Sequence, residues 1–216
     1  SLIAEVSKVV VGKELHIRLM ASAILAEGHI LLDDLPGVGK TTLVKTLALA
    51  LGCRFARIQF TPDLLPSDVV GMNIFDRESG ALRRLDGPVF TNLLLADELN
   101  RAIPRTQSAL LEAMEERQVT LDGESRSLPS PFAVLATQNP VESESTFRLP
   151  AAQMDRFLIR LSMGYPDHRS QINILRDRFG KELMVQPDDG DCARYAAVRV
   201  RFSDKRPTQF YEALTG

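Results

Sequence analysis

Apolar residues recur at helical spacing over residues 14 to 27, where Ile17, Met20, Ala21, Ile24 and Leu25 fall at i, i+3, i+4, i+7 and i+8. The spacing predicts an amphipathic helix, with Gly28 as its stop. An unbroken apolar run, Ile30, Leu31 and Leu32, follows at once and reads as a buried strand. It breaks into the loop Pro36-Gly37-Val38-Gly39, and a second helix opens at Lys40 and carries Leu43, Leu47 and Leu51 towards Gly52. Ala56, Ile58 and Phe60 then alternate with Arg57 and Gln59, the period of a half-buried strand.

Residues 61 to 90 are less regular, and Pro62, Pro66 and Gly71 mark a loop. Met72 to Phe75 and Ala81 to Leu85 flank a polar turn and predict a hairpin. Thr91 to Ala96 form a buried strand that ends in Asp97-Glu98. A helix from about Arg105 to Arg117 would bury Leu110, Leu111 and Met114. A second hairpin, 118 to 128, turns at Asp122-Gly123. Phe132 to Thr137 give a fourth strand, ending at Gln138-Asn139-Pro140, and Phe157 to Met163 a fifth. Five strands separated by helices imply an α/β fold with a mainly parallel sheet.

Composition narrows the class without changing the architecture. The chain has 216 residues, 44% of them hydrophobic and 25% charged, as in an ordinary globular protein able to bury a sizeable core. A net charge of −2 gives no general attraction to nucleic acid or anionic membrane. Cys53 and Cys192 lack metal-site spacing and read as reduced thiols. No apolar run is long enough to span a bilayer and no signal peptide is seen, so a cytoplasmic location is the default expectation.

The chemistry concentrates where predicted strands end. Strand, glycine loop and Gly39-Lys40-Thr41 together make a phosphate-binding loop. Within the cofactor-binding stretch Pro36 to Thr42, glycines let the backbone N–H groups that follow Pro36 turn towards phosphate oxygens, and the helix N-terminus adds partial positive charge. Lys40 would reach the β- and γ-phosphates, and the Thr41 hydroxyl would ligate Mg²⁺. Asp34 stands where the full pattern has its first glycine, and Asp tolerates a left-handed backbone. Asp97, closing the apolar run Leu93 to Ala96, suits a carboxylate that holds the metal's water shell, and Glu98 suits the base that activates the attacking water. The plainer alternative is an acidic pair that solvates a strand end. Asn139 can donate to the γ-phosphate or serve only as a turn residue before Pro140. Arg156, beside Asp155, reads from local chemistry as a surface ion pair.

These stretches resemble one family. Leu32 to Thr41 is similar to the nucleotide loop of the MoxR group of AAA+ ATPases, in which an acidic residue commonly takes the place of Asp34. The likeness continues through Phe60 to Asp68, Leu93 to Arg101, Thr106 to Met114, Ala136 to Pro140 and Ala152 to Phe157. It covers about residues 8 to 178. The resemblance implies ATP as the nucleotide and the strand order 5-1-4-3-2. It implies that hairpin 72–85 is the insert in helix 2 that marks this clade and that Asn139 is the sensor-1 residue. Val10, Val11 and Gly12 would lie near the adenine. Arg156 would be an arginine finger that completes the site of the next subunit in a ring, usually a hexamer. The group is chaperone-like: its members remodel or activate client proteins, often metalloenzymes, and often work with a von Willebrand factor A domain protein.

The expected domains are an ATPase core over 1–165 and the start of a helical lid over 166–216. Ile172, Leu175 and Phe179 share a helical face, but the stretch after Gly180 is short and polar for a complete lid. Arg199, Arg201 and Arg206 have no motif context, so no sensor-2 residue is assigned. Two other readings stay open: a chelatase- or helicase-type motor, and a lid-less module that binds nucleotide with little hydrolysis.

Overall fold

The computed structural model describes residues 2–10, 12–33, 38–77, 80–138 and 146–164, with two short strands at 184–186 and 199–201. The chain divides into two compact units, Ser1–Tyr165 and Pro166–Gly216.

In the first unit, five strands of the described residues form one parallel sheet: β1 (His29–Asp33), β2 (Phe55–Gln59), β5 (Leu93–Asp97), β8 (Ala133–Gln138) and β9 (Phe157–Leu161), in the order β2-β5-β8-β1-β9. Counting only these five, the order is the expected 5-1-4-3-2. The central strands are apolar on both sides because both sides are covered. Ile30, Leu32, Leu93, Leu95, Ala133 and Leu135 face one core, which α2 (Glu14–Leu25) and α3 (Lys40–Ala50) close with Ile17, Met20, Ile24, Leu43 and Leu47. Leu31, Leu94, Ala96, Val134 and Ala136 face the other, closed by α5 (Pro104–Glu116) through Leu110, Leu111 and Met114. A short helix, α1 (Leu2–Ser7), adds Val6 to the first core.

Two details differ from the sequence expectation. The loop after β2 contains a short helix, α4 (Pro66–Val70), opened by Pro66 and by the Asp68 side chain, which accepts the Leu65 amide at 2.8 Å. The left-handed turn that ends α2 is made by Glu27 (φ 54°) rather than by Gly28.

Both hairpins form outside the main sheet: β3 (Gly71–Asp76) with β4 (Ala81–Asp86), and β6 (Gln118–Leu121) with β7 (Glu124–Ser127). The first leaves the body through a neck of two glycines. A Cβ on Gly71 would lie 2.3 Å from the Leu85 carbonyl oxygen, and one on Gly87 2.3 Å from that of Val69. The hairpins are then tied together. Asn73 donates to Asp122 at 2.7 Å, and Arg126 Nη1 reaches both carboxylate oxygens of Asp86 at 2.7 and 2.8 Å. The guanidinium groups of Arg84 and Arg126 lie 5.1 and 5.0 Å from the Phe90 ring centroid.

In the second unit, β10 (Met184–Gln186) pairs antiparallel with β11 (Arg199–Arg201). The expected helix carrying Ile172, Leu175 and Phe179 lies outside the described residues, as does Cys192. No described helix is long and apolar enough to cross a membrane.

Because one ring serves two cations, replacing it should loosen both hairpins together. Phe90→Leu should cost about 1–2 kcal/mol, two cation–π contacts at partly exposed sites. Amide hydrogen exchange should then quicken in both 71–86 and 118–127 while β1 and β8 keep their protection.

Candidate functional site

In an open parallel sheet, ligands bind beyond the carboxyl ends of the strands. At that end β1 delivers the chain into the predicted phosphate loop, and α3 begins at Lys40. Gly39 immediately precedes it with φ 84°, a left-handed conformation that a glycine adopts without a Cβ clash. Val38 is buried, Lys40 and Thr41 are half-buried, and Thr42 is exposed at the helix start. Pro36 and Gly37 lie outside the described residues.

The acidic pair stands two strands away. Leu31 pairs with Ala136 on β8, which pairs with Ala96 on β5, so the rows reach the sheet end together. Two strand spacings put Asp97 roughly 10 Å across the sheet from the end of β1. Asp97 is buried, and Arg57 on β2 donates to its Oδ2 through Nε at 2.8 Å. The Thr137 hydroxyl donates to Asp97 Oδ1 at 3.1 Å and accepts the Glu98 amide at 2.8 Å. One hydroxyl thus joins the acidic pair. Glu98 itself has φ 54°, a conformation costing a non-glycine residue of order 1–3 kcal/mol, and its carboxylate is paired with Arg101 at 2.9 Å. The turn that follows, Leu99–Arg101, is held by the Gln107 carboxamide nitrogen, within 3.2 Å of the Leu99 and Ala102 carbonyls. Asn139, next after Gln138, lies outside the described residues.

Arg57, Thr137 and Arg101 were missed as members of the site. Arg57 read simply as the polar side of an alternating strand. Thr137 had a signal: a hydroxyl closing an otherwise apolar strand has to find a buried partner.

Of the segment expected near an adenine, Gly12 turns with φ 75° and Val11 lies outside the described residues. The segment is fastened to the exit of β9: buried Lys13 donates to the carbonyls of Met163 and Gly164, and His16 Nε2 lies 3.1 Å from that of Ser162.

Arg156 is not brought to this site. It precedes Phe157, which pairs with His29 at the start of β1, so it sits at the opposite end of the sheet. There it donates to Glu115 of α5 through Nε and Nη2. A recess of about 350 Å³ beside it is lined by His29, Met114, Glu115, Ala152, Asp155 and Arg156. His29 is buried and pinned: Nδ1 accepts the Val134 amide at 3.0 Å, so Nε2 carries the proton and donates to the Met114 carbonyl at 3.2 Å. Burial pushes its pKa down to about 4, outweighing the opposite effect of the Met114 carbonyl.

A parallel sheet in this order, with a helix opening off β1 and hairpins outside it, is the core of a P-loop nucleoside-triphosphatase fold. The model of the ATPase family associated with various cellular activities (AAA) matches residues 29–159. The chain is 53% identical over 173 residues to the uncharacterised protein YeaC of Bacillus subtilis, covering 80% of this chain and 54% of that protein. It is 46% identical over 173 residues to chaperone MoxR1 of Mycobacterium tuberculosis, with 80% and 46% covered. A crystal structure of a candidate ATPase from Cytophaga hutchinsonii superposes with a TM-score of 0.75 at 49% identity, over 81% of this chain and 53% of that one. The chain belongs to the MoxR family of AAA+ ATPases. It spans about half the length of the curated relatives it matches.

Two outcomes follow from this geometry. Thr137→Val keeps the side chain's shape but leaves the Glu98 amide without its acceptor, and should cost about 1–3 kcal/mol in urea unfolding. The His29 pKa is depressed in the fold, so its contribution is complete above the unfolded value near 6.5 and is lost as the pH falls towards 4. Between pH 7 and pH 5 the wild type should lose about 2 kcal/mol more stability than His29→Gln, which does not titrate.

Proposed function

We propose that this chain is the ATP-hydrolysing core of a MoxR-type chaperone that acts as a ring. The observation that carries the reading is the Thr137 hydroxyl, which binds Asp97 and the Glu98 backbone at once beside the helix that opens at Lys40. Charge and base are thereby held in fixed relation to a phosphate-binding helix N-terminus.

In this reading the backbone of Pro36 to Thr42 cradles the triphosphate, and Lys40 meets the β- and γ-phosphates. Val10, Val11 and Gly12 lie against the adenine. Mg²⁺ favours hard oxygen donors, and the Thr41 hydroxyl and the Asp97 carboxylate are such donors. When bound, the ion offsets charge on the phosphate oxygens. Glu98, steadied by Arg101, accepts the proton of the attacking water, and Asn139 orients that water or the γ-phosphate.

Arg156 serves a neighbouring subunit. Its place at the far end of the sheet supports this, because a five-residue strand, roughly 16 Å long, separates it from the phosphate loop of its own chain. Loss of the γ-phosphate would then remove a contact between subunits and let them shift. A hexamer, a von Willebrand factor A domain partner, and client proteins that include metalloenzymes complete the proposal, with 166–216 as the beginning of the lid. A helicase reading draws only weak support from the first hairpin: Arg77 and Arg83 are exposed there, but Asp76 and Glu78 accompany them in sequence and Arg84 packs on Phe90 near Asp86.

ATP turnover per subunit, measured against protein concentration, tests the reading. The rate should rise with concentration. Glu98→Gln should lower it about a hundredfold or more, and Arg156→Ala by about a thousandfold. A rate independent of concentration and untouched by Arg156→Ala would remove the shared site. Nucleotide binding without turnover would instead favour a binding module.

A further inference from the structure

Among the described residues, the guanidinium of Arg156 is held from one side. Nε and Nη2 both donate to Glu115 Oε2, which occupies one edge of the guanidinium fork and leaves the other edge of donors for a second acceptor. The pair is not sealed off: the Arg156 side chain is 31% exposed and that of Glu115 55%. Both stand at a surface that another molecule can reach.

Glu115 is in turn a fixed point. It occupies the last turn of α5, and that end of the helix is fastened twice. The Met114 carbonyl accepts from His29, whose other nitrogen is bound to the start of β8. Arg117, the residue that caps α5, pairs with Glu27 at 2.7 Å, beyond the end of α2. Arg156, by contrast, follows a single-turn helix, α6 (Ala151–Met154), and carries a long side chain with many rotamers. A flexible cation is thus anchored by a carboxylate on rigid ground.

We infer that Glu115 is the positioning residue for Arg156: it fixes the guanidinium edge-on, with its remaining donors directed at the phosphate of ATP bound to a neighbouring subunit. This rests on the trans role of Arg156 proposed above. The contact with Glu115 orders the side chain before assembly, so that cost does not fall on the reaction. It requires no new bond to form or break, and Glu115 never touches ATP.

The test is steady-state hydrolysis of Mg·ATP by the full-length protein at a concentration where subunits assemble. Glu115→Ala and the near-isosteric Glu115→Gln should lower kcat roughly five- to tenfold, the order expected when a rotamer-rich side chain must be ordered during the reaction. The KM for ATP should stay within about twofold, because the phosphate loop is untouched. Glu115→Asp should recover part of the loss. In an Arg156→Ala background, Glu115→Ala should cause no further loss, as expected of residues acting as one unit.

Full or raised turnover in both Glu115→Ala and Glu115→Gln, beside an inactive Arg156→Ala, overturns the assignment of Glu115 alone. A loss that persists in the Arg156→Ala background also overturns it, since a merely structural role would behave that way. Full turnover in Arg156→Ala overturns the shared site itself, and this inference with it.

Discussion

The structure depends on a sheet that is buried on both faces. A parallel sheet has no face to give to water, so consecutive residues of its central strands must all be apolar and must all find cover. Ile30, Leu31 and Leu32 satisfy this in turn, feeding α2 and α3 on one side and α5 on the other. With the interior filled that way, polar chemistry is driven to the two ends of the sheet. The ends differ because all five strands run in the same direction.

At one end stand α3 and the acidic pair, and at the other the pair Arg156–Glu115. The distance between them is set by strand length, which no side-chain movement can change. Within one chain the helix that opens at Lys40 and the half-buried Arg156 are therefore held apart. The two ends also handle charge differently. Asp97 is buried, and Arg57 and Thr137 compensate it from neighbouring strands, whereas Glu115 meets its arginine partly in water.

Much of this was legible in the chain itself. Apolar runs at 30–32, 93–96 and 132–137 announced strands because strands buried on both faces carry little else, and Asp122-Gly123 announced its turn by its own chemistry. The strand order was not legible from periodicity, which says that a segment is buried but not beside what; it came from resemblance. The partners of the site were hidden for a related reason. Arg57 and Asp97 are forty residues apart, and they meet only because β2 and β5 pair in a register that sets Gln59 against Asp97. Glu115 and Arg156 meet through packing of α5 beside the start of β9. Local spacing has no access to either. The short helix at 66–70 was passed over because prolines and a glycine dominate the stretch, although a proline is well suited to a first helical turn.

The neck of the first hairpin has a bearing on descent. At Gly71 and Gly87 the two backbones pass so closely that a single methyl group on either would strike a carbonyl oxygen. Beyond that crossing the ribbon stands outside the main sheet, held to the second hairpin through Asn73 and Asp86, and its far end is where residues can be gained or lost with least disturbance to the body. A lineage carrying this joint can lengthen, shorten or rewrite the far end of the ribbon, while the two glycines themselves have no substitute.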